Sequence, residues 1–268
     1  MTRRLTVALC AALAAAFGAC AAPDDPAPNA AIEVLAPGGK TPPAVTADLP
    51  APAVLSACRA MLPTKTVELT GALVLRSRKG IVAREYGYRL VMRHADDVSL
   101  VTIHLTPRGE TNELAAVTIT RRPGVKPVIR LTKAGADEAE VVASPLERVL
   151  ETDVTWLDLT FDFLWWSNAV YEADREGESV HGQTCVVILV KPEVAIDGLS
   201  AVRLWVDKKT GCLMQAEQVD AAGKPLRRLW GTRVKKRNGR WMVSVLEVET
   251  LGSRHRTKIT VDEMQIEE

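Results

Sequence analysis

Histidine, cysteine and aromatic side chains are all scarce in this chain. Four His and five Cys in 268 residues are too few and too scattered for a metal cluster or a dense disulfide scaffold. His94, His104, His181 and His255 share no ligand spacing and read as surface or strand histidines. Charge of one sign is missing too, since 34 Lys and Arg face 33 Asp and Glu. That disfavours a nucleic-acid partner. The basic run at 233–240 surrounds a hairpin tip, has no aromatic platforms, and reads as a solubility device. Common catalytic motifs are absent: no G-x-S-x-G, H-E-x-x-H, C-x-x-C, P-loop or G-x-G-x-x-G occurs. Asp96 and Asp97 fall in a turn and read as a solvated pair. The expectation is a protein with no metal, no cofactor and no catalytic residues. What is present is an ordinary globular composition, 47% hydrophobic and 25% charged.

The N-terminus reads as a leader. Arg3 and Arg4 precede an uncharged apolar stretch from Leu5 to Ala19. This stretch suits a signal peptide (1–19) and is short for a membrane span, which takes about 20 residues. Phe17-Gly18-Ala19-Cys20 resembles a lipobox, which makes Cys20 the candidate lipid attachment site. The alternative is ordinary cleavage at the A-x-A-like Ala19-Cys20-Ala21. Ala21 after the cysteine resembles the sorting pattern of outer-membrane lipoproteins. Without Arg3 and Arg4 the chain stays near neutral, so a basic membrane-binding patch is not supported. Residues 20–53 are rich in Ala and Pro and read as a tether.

From residue 54 to 268 the pattern is one helix followed by strands. Val54, Leu55, Cys58, Met61 and Leu62 have helical spacing, and Pro63 ends it. Period-two segments follow at 67–75, 86–92, 101–105, 117–119 and 129–131. A second block covers 185–190, 202–206, 213–219, 226–234, 241–250 and 256–266. Turn signals sit at Gly80, Gly211, Gly223 and Asn238-Gly239. Short turns between sequential strands imply an antiparallel meander. Ten or so strands must curl strongly, split or close.

One segment breaks the pattern. Ser144-Pro145-Leu146-Glu147 has the form of a capping box with Pro at the first helical position. Thr155-Trp156-Leu157-Asp158 is a weaker version. Two short helices are expected, near 145–151 and 156–165. On the second, Thr155, Asp158 and Asp162 form a narrow polar stripe. Trp156, Leu159, Phe163 and Trp166 occupy one apolar side; Leu157, Phe161 and Leu164 occupy another. Such a belt is wider than a helix needs to rest on one sheet. It either fills a solid core or covers a hollow.

Export permits disulfides. Cys185 and Cys212 fall on strands with one strand between them, ~9–10 Å apart, which disfavours a direct bridge unless a bulge or terminal bend brings them closer. Cys58 on the helix is in reach of a sheet cysteine, without the sequence saying which. The default is buried thiols.

At this point the chain resembles the outer-membrane lipoprotein-sorting proteins, the LolA-like group with its LolB-like receptors. The stretch ETDVTWLDLTFDFLWW (151–166) carries the resemblance, with HGQTCVVILVKP, VRLWVDKKTGCLMQAEQVDAAGKPLRRL, RNGRWMVSVLEVET and RTKITVDEMQI after it. The resemblance implies a mainly β fold with short helices: an unclosed, strongly curved antiparallel β half-barrel with a helical lid. It implies an apolar concave side that takes acyl chains of lipids or lipoproteins, for lipoprotein sorting or transport. Trp156, Leu157, Leu159, Phe161, Phe163, Leu164, Trp165 and Trp166 become the candidate lid and acyl-chain-binding residues. The implied partners are acyl chains and the membrane, reached through the lipidated Cys20. Soluble carriers of the group lack an anchor, so Cys20 moves this chain towards a fixed, outer-membrane-anchored protein facing the periplasm. The group's cavity arginine and protruding leucine loop cannot be placed here by any motif. The alternative function is a periplasmic sensor or scaffold that uses the same fold without transport, like the envelope-stress regulators.

Overall fold

The computed structural model describes residues 45, 49–60, 66–77, 79–94, 98–122, 125–237 and 240–266. The expected leader, Cys20, most of the tether, Asp96, Asp97 and the Asn238-Gly239 turn lie outside the described residues. Helix α1 (Ala51–Ala60) buries Val54, Leu55, Ala57 and Cys58, the face its spacing dictates. The chain ahead of it is already docked: Val45 is buried and its N–H donates to the Lys208 carbonyl at 2.8 Å.

Two meanders follow. The first comprises β1 (Val67–Ser77), β2 (Val82–His94), β3 (Ser99–Pro107), β4 (Ala115–Arg122), β5 (Val125–Lys133) and the two-residue β6 (Glu140–Val141). After a crossing segment come β7 (Asn168–Tyr171), β8 (Ser179–Val180) and β9 (Gln183–Lys191). The second meander continues through β10 (Ala201–Asp207), β11 (Leu213–Val219), β12 (Pro225–Arg237), β13 (Arg240–Thr250) and β14 (His255–Ile266). Pairing of β1 with β14, from Val67–Ile266 to Ser77–His255, joins the two meanders. The result, among the described residues, is one antiparallel sheet in the order β6-β5-β4-β3-β2-β1-β14-β13-β12-β11-β10-β9-β7. Its two ends do not pair, so the half-barrel is unclosed, as expected.

Alternation sets the inner face. Ala115, Val117 and Ile119 of β4 point inward with Val101, Ile103 and Leu105 of β3, and all six are buried in one continuous core. The sheet bends where β1 meets β14. A bulge falls between Thr70 and Gly71, and a Cβ on Gly71 would lie 1.8 Å from the Thr260 carbonyl oxygen. Tyr88, opposite Gly71 on β2, lies in the core and donates its hydroxyl to that same carbonyl at 2.9 Å. A bulge, a glycine and a covering aromatic are the means by which a sheet bends sharply.

Strand β10 reads AVRLWVD, and all seven residues are buried. Both of its faces are covered. Val202, Leu204 and Val206 join the main core; Trp205 packs outside with Cys185, Val187 and Met214 under Val180 of β8. The segment after β7 forms this outer cover, and Glu178 accepts the Trp205 indole N–H at 2.8 Å.

The crossing segment corrects two expectations. No helix forms near 145–151. Ser144 does make cap-like bonds, accepting from the Leu146 N–H and donating its own N–H to Glu147, each at 3.2 Å. The chain then reverses: Leu150 has φ 52°, and the Val149 N–H donates to the Val154 carbonyl. The second helix is broken. Phe161 at φ 49° ends α2 (Trp156–Thr160) and starts a separate 3-10 turn, Asp162–Trp165. Gly71→Ala should cost about 3 kcal/mol of stability by overpacking against β14. Denaturant titration checks this, and a loss below about 1 kcal/mol refutes the close approach as a constraint.

Candidate functional site

The crossing segment lies on the concave face as a plug. Of the eight candidate residues, seven are buried: Trp156, Leu157, Leu159, Phe161, Phe163, Leu164 and Trp166 are each 6% exposed or less and belong to the main core. Trp165 is the exception, half-buried at the rim. The rings of Phe161, Phe163 and Trp166 meet edge to face, with centroids 5.8 and 6.5 Å apart. The belt therefore fills the concave side with its own side chains. The cavity beside it, bounded by Trp165, Trp166, Val125, Pro127 and Val194, measures about 40 Å³. That volume suits water and is too small for an alkyl chain.

The polar stripe is buried too, and each of its acids has an arginine. At the start of the plug, Thr155 and Asp158 form a reciprocal capping box. Asp158 also accepts from Arg227 Nη2 at 2.7 Å and from Gln218 Nε2 at 3.0 Å. Arg227 donates as well to the Asp153 carbonyl. Asp153 in turn meets His255 Nδ1 at 2.8 Å, and its N–H donates to Thr257 Oγ1 at 2.8 Å. At the far end, Asp162 accepts the Trp166 indole N–H at 3.2 Å and pairs with Arg121 at 3.4 Å. The Arg121 guanidinium stacks 3.5 Å from the Trp165 ring centroid and donates to Ser99. A third tie comes from α1, where Arg59 Nη1 donates to the Leu164 carbonyl at 2.6 Å.

The two ends differ in electrostatics. Burial pushes the Asp162 carboxyl up to about 6; Arg121 and the Trp166 indole pull it down, and Glu193 adds to the rise. Burial lowers Arg121 to about 10, against the pull of Asp162 and with help from Arg59. Both shifts say that this pair has lost water and recovers only part of the loss.

Sequence reasoning found the apolar members and missed Arg121, Gln218, Arg227 and Thr257. A signal for them exists. Arg121 continues the inward parity of Val117 and Ile119; Arg227 shares it with Leu229, Gln218 with Ala216, and Thr257 with Ile259. A polar residue on the inward side near a strand end marks a buried partner. Among the described residues no group of His, Cys, Asp and Glu has the makings of a metal site.

The comparisons agree with this geometry. A crystal structure of a DUF1329 family protein from Desulfovibrio piger matches 81% of this chain and 92% of its own, with TM-score 0.68 and 14% identity. A putative outer membrane lipoprotein-sorting protein domain from Vibrio parahaemolyticus matches over 76% and 86%, with TM-score 0.65 and 14% identity. A LolA superfamily protein from Nitrosomonas europaea matches over 82% and 94%, with TM-score 0.60 and 14% identity. This is a LolA-like fold. At this identity the likeness speaks for the fold. A family model described as an uncharacterized protein matches residues 142–268, the plug and second meander. No match was found among curated proteins.

The Asp162 pair generates a pH test. Its folded pKa, about 6, stands above the ordinary 3.8. The folded state therefore holds a proton that the unfolded chain releases between these values. The stability from this group is full below the unfolded value and is lost as pH rises through the folded one. Asp162→Asn should flatten the fall in stability between about pH 4 and pH 7. Denaturation midpoints across that window measure it, and parallel slopes in variant and parent refute it.

Proposed function

We propose that this chain is an envelope lipoprotein, anchored through Cys20 in the outer membrane and facing the periplasm. Its half-barrel binds an acyl chain of a lipid or lipoprotein, in the service of lipoprotein sorting or transport. Binding, with no catalytic step, is the activity. The observation that carries the reading is the broken plug. An unclosed, curled sheet is covered by two separate turns joined at a non-glycine residue with φ 49°, a backbone that costs on the order of 1 kcal/mol. A solid core has no need of that break; a cover that swings at Phe161 does. The rim end of the cover is the one held by the desolvated Arg121–Asp162 pair, beside half-buried Trp165. Moving residues 162–166 outward would bare inward residues such as Ile103, Ile119 and Leu204. An alkyl chain of about fourteen methylenes gains roughly 11 kcal/mol on burial. That exceeds the 3–5 kcal/mol typical of breaking one buried pair.

The packing favours a second reading. Seven belt residues 6% exposed or less are what a scaffold or sensor with a filled interior would show. Binding separates the two. The chain recovered from the envelope should carry lipid in native mass spectrometry. The emptied protein should bind a fluorescent long-chain fatty acid saturably, with a change in Trp emission. Trp166→Asp, with its fold checked by circular dichroism, should reduce both by tenfold or more, the order of one lost hot-spot contact. Absence of adduct together with no saturable binding leaves the scaffold reading. For the anchor, Cys20→Ser should move the protein from the membrane fraction to the soluble periplasmic fraction; unchanged retention rejects the lipobox.

A further inference from the structure

The cysteines sort themselves by sheet face and strand. Cys185 points outward and packs with Val187, Trp205 and Met214, whereas Cys58 sits in the main core. The sheet separates them. Cys185 pairs with Asp207 on one side of β10, and the Asp207 N–H donates to the Cys212 carbonyl on the other. One strand thus stands between Cys185 and Cys212, about 9–10 Å across. Cys58 lies against the hairpin that carries Cys212. The Cys58 thiol donates to the Gly211 carbonyl at 3.3 Å, one residue before Cys212. Backbone dimensions then put Cys58 Sγ within roughly 6 Å of the Cys212 Cα. Behind it, a Cβ on Gly211 would lie 3.5 Å from the Ala57 Cβ, so α1 rests directly on this hairpin. Both thiols are fully buried.

We propose that Cys58 and Cys212 are a modification site, joined by a disulfide when the chain folds in an oxidising compartment. Each thiol gives up its proton, and the pair gives up two electrons. An external disulfide takes them: a thiol-disulfide oxidase in the cell, oxidised glutathione in the tube. The attack runs through a mixed disulfide, and the external thiol leaves. Bonding takes place while α1 docks, because in the folded chain Cys58 is sealed. Its pKa is raised by burial first and by the neighbouring Cys212 second, so the closed site is a poor nucleophile. The bond would staple α1 to the β10–β11 hairpin, beside the Val45 contact that already holds the incoming chain. It fixes α1 as a wall of the concave side. Residues 162–166 meet α1 through the Arg59–Leu164 hydrogen bond and the shared core.

The measurement is disulfide mapping. Full-length chain is reduced in denaturant, refolded with oxidised and reduced glutathione, blocked with an alkylating reagent and digested. A peptide pair linking 58 to 212, with Cys185 alkylated, is the expected result. Cys185→Ala should keep that link. Cys58→Ser and Cys212→Ser should each abolish it and lower the thermal midpoint by several degrees relative to Cys185→Ala. A link to Cys185, or alkylation of both Cys58 and Cys212 after refolding, overturns the proposal. The same mapping on protein taken from cells tests the export reading separately. Thiols there, with the 58–212 bond formed in the tube, would reject export and leave the bond standing.

Discussion

An antiparallel sheet that curls without closing has an apolar inner face and no second sheet to meet it. Every other feature of this molecule answers that constraint. A closed barrel of similar strand number satisfies its inner face from its own walls. Here β6 and β7 do not pair, and the chain between them must supply the missing interior. It does so with Trp156, Phe163, Leu164 and Trp166, each held within the main core. A cover made of one-turn pieces has little stability of its own, because short helices do not persist without tertiary support. The support comes from burial of these side chains, and two ion pairs fix where the pieces lie. Asp158 and Asp162 leave the plug towards Arg227 and Arg121, which come from opposite halves of the sheet. The narrow polar stripe of the plug is the fastening.

The two fastenings are of different quality. Asp158 is held by its own capping box, by Gln218 and by Arg227. A buried carboxylate with that many donors has its acceptor positions filled. Asp162 has one arginine at 3.4 Å and one indole, and burial outweighs them. The difference polarises the plug. Its beginning is bound into the second meander, and its end is held loosely at the seam, next to Val125 and Val194 on the rim. Phe161, where the backbone turns left-handed, stands between the two.

The strands were legible because period-two alternation survives wherever one sheet face is wet. Val117-Thr118-Ile119-Thr120 reads correctly for that reason; Val202-Arg203-Leu204 reads correctly although both of its faces are covered, because Arg203 breaks the apolar run. Strand partners were less legible. Neighbours in sequence paired as expected, but the β1–β14 pairing that joins the halves spans the chain and leaves no local mark. The plug was recognised by its excess of apolar residues and misjudged in form. A capping box states where a helix can start and says nothing about where tertiary demands stop it. At 145–151 the cap-like bonds formed without the helix. At Phe161 a helix that propensity allowed is broken, with one carboxylate on each side of the break, each meeting its own arginine. The inward arginines were readable by parity and were passed over because charged residues at strand ends are usually solvated.

The outer cover bears on how much of the molecule is able to move. Strands β9 to β11 are packed on both sides, by α1 and the plug within and by Val180, Glu178 and Glu172 without. Arg203 reaches through this outer layer to Glu172 at 2.9 Å and to Glu217 at 3.4 Å. A doubly covered sheet is stiff, because bending it disturbs two cores at once. Among the described residues the first meander shows no such second layer: β3 and β4 alternate buried with mostly half-buried residues. Any opening of the seam is therefore borne by β4, β5 and the end of the plug, moving against a fixed second meander. Under the proposed opening, the Arg121–Asp162 pair and the stacking of Arg121 on Trp165 join β4 to the end of the plug, at the point where such an opening would begin.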